Sequence, residues 1–75
     1  MDLKRYMPPV KGLYIKWERQ TGSIRASYPM TDGVRKTLNA APSLHGDQGA
    51  MFRVLSLTWA VHETATGQKC PFKLA

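Results

Sequence analysis

Residues 13–28 read LYIKWERQTGSIRASY, a stretch in which apolar and polar residues alternate on both sides of a short turn. A period of two is typical of a β-strand that buries one face, so the stretch predicts two strands. Gly22 lies between them and can take the positive φ that a tight hairpin requires. The sequence therefore predicts an antiparallel hairpin, with Leu13, Ile15, Trp17 and Ile24 facing a core.

The polar positions of this hairpin share the opposite, outward face. They combine an aromatic ring, two cations and a hydroxyl, in the residues Tyr14, Lys16, Arg25 and Ser27. Such groups suit contacts with phosphates and bases. The spacing also predicts that Lys16 and Arg25 are cross-strand neighbours, whose like charges repel each other unless an anion lies between them.

A helix is predicted over residues 32–41. Thr31 or Asp32 is a plausible N-cap, the apolar residues Val34, Leu38 and Ala41 recur at helical spacing, and Pro42 ends the pattern. Arg35 and Lys36 would then project from the polar side of this helix. Residues 43–49, with two glycines, are expected to form a loop.

A long strand is predicted over residues 50–61, where aromatic and β-branched residues are abundant. Its apolar residues fall in two phases, which a bulge near Val54 or burial on both faces would reconcile. A short last strand follows at 70–74.

The fold class is therefore α+β, a single antiparallel-rich sheet with one short helix on one face, in ββαββ order. Residues 1–11 form a basic extended arm and residues 12–75 the domain, whose core also takes in Leu38, Leu57 and Trp59.

Length and composition limit the kind of protein this is. The chain has 75 residues and a single cysteine, Cys70, so it is one small domain without an internal disulfide, as expected in the cytoplasm. No apolar run approaches the roughly 18 residues of a membrane span, and the first residues are unlike a signal peptide. A membrane is therefore not an expected partner.

Residues that could carry chemistry are few. Cys70 with His45 or His62 could form a thiol–imidazole pair, and Asp47 would add a zinc ligand type, but the paired spacings of a zinc site are absent. Cysteine is commonly a small buried hydrophobe, and His62 is expected to face solvent. We therefore predict a non-enzymatic protein with no metal, no cofactor and no small-molecule substrate.

Charge is the informative feature. The net charge is +6, and residues 1–38 hold eight basic against three acidic residues. The arm contributes Lys4, Arg5 and Lys11 to this excess. Such a distribution predicts an anionic partner contacted by the hairpin, the arm and the helix.

Two kinds of partner fit this charge. The first is nucleic acid, or a nucleoprotein complex, bound through the cationic hairpin face and arm. The alternative is an acidic protein surface, since small basic domains without catalytic residues are typical of phage and mobile-element accessory proteins such as anti-defence proteins and host-enzyme inhibitors. A third hypothesis is a structural subunit that oligomerises through its apolar strand.

Overall fold

The computed structural model describes residues 3–20 and 22–72, with side chains from Arg5 onward. The elements in chain order are a 3-10 turn (Leu3–Tyr6), β1 (Tyr14–Glu18), β2 (Ser23–Pro29), β3 (Arg35–Ala40) and α1 (Pro42–Thr66). The strands form an antiparallel sheet in the order β1-β2-β3, and α1 packs against β2 and β3. The predicted α+β class, with one sheet and one helix, is confirmed. The ββαββ order is wrong, because three strands precede the helix.

The first hairpin is confirmed. β1 and β2 pair in the register that the alternation predicts, with Lys16 opposite Arg25 and Trp17 opposite Ile24. Gly22 takes a φ of 62° and donates its N–H to the Arg19 carbonyl at 3.3 Å. Thr21, the other residue of the predicted turn, lies outside the described residues.

The helix predicted over 32–41 is wrong, because Thr31, Asp32 and Gly33 form the loop of a second hairpin, which the Met30 N–H closes by donating to the Val34 carbonyl at 2.9 Å. The Asp32 carboxylate accepts the Val34 N–H at 3.0 Å, and Gly33 has a φ of 84°. An Asp-Gly pair between two runs of extended chain is a strong hairpin signal, and here it prevails over the helical spacing of the apolar residues. Arg35 and Lys36 are therefore consecutive strand residues, so their side chains point to opposite faces of the sheet.

The strand predicted over 50–61 is also wrong, since these residues belong to α1. Its buried residues lie three, four or one position apart, as expected for one face of a helix: Ala50, Val54, Leu55, Thr58, Trp59 and His62. The two strand phases were thus one helical stripe. Pro42 occupies the first turn of α1, so residues 43–49, which were predicted to form a loop, belong to the helix. Gly46 interrupts the helical backbone within this segment, with φ 72° and ψ 165°. Residues 70–72 form no strand, and the remainder of the predicted last strand lies outside the described residues.

The core lies between α1 and two strands. Ile24, Ala26, Leu38 and Ala40 of the sheet pack with Ala50 and Val54 of the helix. Trp59 is buried as predicted, whereas Leu13, Ile15 and Leu57 are half-buried. The prediction for Trp17 is wrong, because 43% of it is exposed. A helix about 10 Å across covers two strands spaced about 4.8 Å apart, which leaves the inner face of β1 at the margin.

The N-terminal segment that was predicted to be an extended arm contains the 3-10 turn and packs on α1. The indole N–H of Trp59 donates to the Tyr6 carbonyl at 2.7 Å. The Tyr6 ring meets that of Phe72 edge-on at 5.1 Å, and Pro8 is buried. Hydrogen bonding and ring packing therefore join the start of the chain to the helix.

Candidate functional site

The face of the sheet opposite α1 is polar, and no described element packs on it. We call it the outer face. Every second residue of each strand belongs to it, namely Tyr14, Lys16, Glu18, Ser23, Arg25, Ser27, Pro29, Arg35, Thr37 and Asn39. Four residues expected to share an outward surface from the sequence alone, Tyr14, Lys16, Arg25 and Ser27, do lie together here. Arg35 joins them from β3.

The middle of the outer face is a cross-strand row of three residues, one from each strand. Lys16 pairs with Arg25, and Arg25 pairs with Asn39. We call these three residues the central row. The Lys16 ammonium lies 3.5 Å from a Glu18 carboxylate oxygen, and 64% of the lysine side chain is exposed. The repulsion predicted between Lys16 and Arg25 is thus offset in part by Glu18, although exposed ion pairs of this kind contribute about 0–1 kcal/mol.

A second group at the edge of the outer face, which we call the arginine clamp, consists of Arg35, Tyr14, Ser27 and Gly12. Arg35 Nε donates to Ser27 Oγ at 2.5 Å, and its Nη2 donates to the carbonyl oxygens of Ser27, at 3.2 Å, and of Gly12. The guanidinium also lies over the Tyr14 ring, 5.0 Å from its centroid. These contacts cover Ser27, which is only 4% exposed. The clamp therefore ties β3 to β2 and to the chain that enters β1.

Arg25 differs from Arg35 in what its guanidinium contacts. Its Nε is buried without a hydrogen-bond partner, and no ion pair joins it to another described residue. A buried donor left unpaired costs about 1–3 kcal/mol, so Arg25 holds hydrogen-bonding capacity that the described part of the fold does not use. The neighbouring Asn39 is exposed, and its side chain forms no hydrogen bond within the described residues. The sequence reasoning missed Asn39 because its segment was predicted to be helical.

The other predicted site residues do not join the outer face. Lys36 is exposed on the helix side of the sheet, where it and Lys11 line a groove. Arg5 is exposed on the 3-10 turn that contacts α1. The side chain of Lys4 lies outside the described residues. The basic residues of the predicted hairpin, arm and helix are therefore divided between two sides of the sheet.

The groove lies between α1 and the second hairpin and has a volume of about 880 Å³. Leu38, Leu57 and Val61 contribute apolar walls. At one side Tyr28 donates its hydroxyl to His62 Nδ1, and His62 Nε2 donates to the Gln68 side-chain oxygen, both at 2.7 Å. Burial raises the pKa of the Tyr28 phenol above its ordinary value. His62 is thus buried, contrary to the prediction that it faces solvent.

The residues considered for catalysis or metal binding are dispersed. His45 and Asp47 are exposed in the first part of α1, His62 is buried under Tyr28, and Cys70 donates its thiol to the Phe72 carbonyl at 3.4 Å. Within residues 3–20 and 22–72, no three His, Cys, Asp or Glu side chains come together as a metal site would need. The same residues contain no helix long and apolar enough to cross a bilayer.

The part of the chain that contains the sheet differs from α1 in net charge. Residues 1–40, which include the whole sheet, carry eight basic and three acidic residues, whereas α1 carries one basic and two acidic residues. Most of the positive charge is therefore carried by the sheet and the N-terminal segment, whereas the helix is slightly anionic.

Comparison of the chain with protein-family models, with curated proteins and with solved structures gives no match.

Proposed function

We propose that this protein is a small non-enzymatic nucleic-acid-binding domain that contacts its ligand with the outer face of the sheet. The observation that supports this most directly is Arg25, which lies at the centre of the outer face and whose guanidinium forms no hydrogen bond or ion pair with another described residue. A phosphate or a base edge can accept the hydrogen bonds that the fold leaves unmade. The cationic character of the sheet side would add long-range attraction for a polyanion.

The chemistry of the outer face favours nucleic acid over an acidic protein surface. The centre of a protein–protein interface is enriched in aromatic and apolar anchors. The outer face has Tyr14, whose ring lies under Arg35, and otherwise presents ammonium, guanidinium, amide and hydroxyl groups, one carboxylate, and Pro29 at its margin. Protein–nucleic acid interfaces are more polar and more positively charged than protein interfaces, which matches this composition.

Binding to labelled duplex and single strand of random sequence, measured at salt concentrations between about 50 and 200 mM, tests the proposal. We expect the logarithm of the association constant to fall linearly with the logarithm of salt, because each phosphate contact releases counterions. No binding at the lowest salt would contradict the proposal and leave the acidic protein surface as the remaining hypothesis.

Two matched variants locate the surface. Arg25→Glu and Arg53→Glu make the same change of charge, on the outer face and on an exposed position of α1 respectively. At about 150 mM salt we expect Arg25→Glu to weaken binding by about 1–3 kcal/mol and Arg53→Glu to have little effect. Equal losses from both variants would show that binding follows net charge alone and would contradict the assignment to the outer face.

A further inference from the structure

The central row is built from the side chains that distinguish bases by hydrogen bonding. Arginine pairs with guanine through O6 and N7, and asparagine pairs with adenine through N6 and N7, each by two hydrogen bonds. Arg25 and Asn39 lie directly opposite each other on β2 and β3. Opposite residues of an antiparallel pair have Cβ atoms about 5 Å apart, which lets them reach neighbouring base pairs stacked about 3.4 Å apart.

These two side chains are also the ones with unused hydrogen-bonding groups. Arg35 is held by Ser27 and Gly12, and Lys16 is paired with Glu18. The Arg25 guanidinium and the Asn39 amide form no hydrogen bond or ion pair with another described residue, and a base would bind the terminal nitrogens of Arg25 because its Nε is buried. Arg25 and Asn39 are therefore able to bind a ligand without first breaking a contact in the protein.

The dimensions of the sheet fit the major groove of duplex DNA. The groove of B-form DNA is about 12 Å wide and admits a two-stranded ribbon, and the two strands that carry Arg25 and Asn39 have axes about 4.8 Å apart. The major groove of an RNA helix is deep and narrow, so a sheet does not enter it. Single-strand binders stack bases on several aromatic rings, whereas the outer face has the Tyr14 ring, which Arg35 already covers.

We infer that the outer face enters the major groove of duplex DNA, where Arg25 binds a guanine and Asn39 an adjacent adenine. This inference rests on the proposed function and deepens it, since it names the form of nucleic acid and the two residues that read its sequence. Lys16, in the same row and 64% exposed, would contact a phosphate, and such contacts position the sheet without reading sequence.

Selection of bound sites from a pool of random duplexes tests the inference. We expect the wild type to enrich sites that contain adjacent guanine and adenine. Arg25→Lys keeps the charge but loses the two-pronged geometry, so it should lose its discrimination at the guanine by about 5- to 150-fold while its binding to random duplex changes little. Asn39→Ala should lose discrimination at the adenine alone. Arg53→Lys, the matched control on α1, should select the same sites as the wild type.

Atomic substitution in the DNA gives a second test. Replacing the guanine or the adenine of a selected site by its 7-deaza analogue removes the N7 acceptor and keeps base pairing. We expect each analogue to weaken wild-type binding by about 5-fold or more, and the guanine analogue to have no further effect on Arg25→Met, which has no donor for N7.

The outcomes separate the inference from the proposed function. Binding to random duplex without enrichment of any sequence would overturn the inference and leave nucleic-acid binding standing, as would preference for single strands or for an RNA helix. Enrichment that Arg25→Lys and Asn39→Ala leave unchanged would also overturn it. Absence of all nucleic-acid binding would overturn both.

Discussion

Two arginines on the same face of the sheet have different roles because of what surrounds each guanidinium. Arg35 donates to Ser27 and Gly12 and lies over Tyr14, so its charge is engaged in holding the fold. Arg25 has a buried Nε with no partner. Residue type and alternation cannot distinguish these two cases, since both side chains occupy outward strand positions. The neighbouring groups decide the difference: they engage the Arg35 guanidinium in holding the fold and leave the Arg25 guanidinium without a partner in the described residues.

Replacing each arginine by Met separates the two roles. Arg35→Met should lower the free energy of unfolding by about 1–3 kcal/mol, because Ser27 Oγ and the Gly12 carbonyl lose a charged donor. Arg25→Met should leave it unchanged or raise it by about 1–3 kcal/mol, because no contact of the described fold is lost and a buried unpaired donor is removed. Urea unfolding measures both values. Equal destabilisation by the two variants would contradict the distinction.

The buried phenol of Tyr28 should make stability depend on alkaline pH. Because burial raises the pKa of Tyr28 in the folded protein, the unfolded chain loses this proton first, near pH 10. The contribution to stability is complete below that pH and is lost as pH rises toward the folded-state pKa. Tyr28→Phe should abolish this component, although it costs about 1–3 kcal/mol at neutral pH by leaving His62 Nδ1 without its donor.

Thermal unfolding of Tyr28→Phe and Tyr14→Phe between neutral pH and pH 11 provides the comparison. Tyr14 is 52% exposed, so its variant should keep the alkaline loss of the wild type. The same alkaline loss in Tyr28→Phe would show that another group is responsible.

At the level of elements, the first hairpin could be predicted from sequence because its signals are local. Strict alternation fixed which side chains share a face, and Gly22 marked the turn, so the pairing of Lys16 with Arg25 followed. The outward placement of Tyr14 and Ser27 followed from the same period. That much of the candidate site needed no knowledge of how the rest of the chain packs.

The second hairpin and the helix could not be predicted in this way because their local signals conflict. Asp32-Gly33 favours a hairpin turn, but Val34, Leu38 and Ala41 also match helical spacing. Pro42 fits the position after a helix, but proline is equally suited to a first helical turn. The β-branched and aromatic residues of α1 have strand propensity, which its packing on β2 and β3 overrides. Asn39 and the true position of Arg35 were missed as a result.

The interruption at Gly46 gives a test of this part of the helix. Its φ of 72° and ψ of 165° lie in a region that glycine almost alone adopts, and a residue forced into it costs about 1–3 kcal/mol. Gly46→Ala should therefore lower the free energy of unfolding by that amount, measured by urea unfolding. Ser56→Ala, at an exposed position within α1, should be neutral or slightly stabilising. A stabilising Gly46→Ala would mean that the helix continues through this position at no cost.

On the scale of the whole molecule, the single helix covers one face of the sheet and leaves the outer face uncovered. The net charge also differs between the helix and the rest of the chain. The sheet and N-terminal segment hold most of the positive charge, and α1 has a small negative excess. The outer face itself carries three basic residues and one acidic residue, namely Lys16, Arg25 and Arg35 against Glu18. Its net positive charge would attract a polyanion, and the negative excess of α1 would weaken that attraction where both charges act over the same distance.

Ionic strength should decide whether the charge on α1 affects binding. The smallest extent of the molecule is 18 Å. This exceeds the Debye length of about 8 Å at 0.15 M salt but is less than the roughly 30 Å at 0.01 M. Arg53→Glu, on the exposed side of α1, should therefore leave nucleic-acid affinity unchanged at 0.15 M and weaken it at 0.01 M, whereas Arg25→Glu should weaken it at both. Fluorescence anisotropy of a labelled duplex at the two salt concentrations measures this. A loss for Arg53→Glu at 0.15 M as large as that for Arg25→Glu would place α1 in contact with the nucleic acid and contradict binding by the outer face.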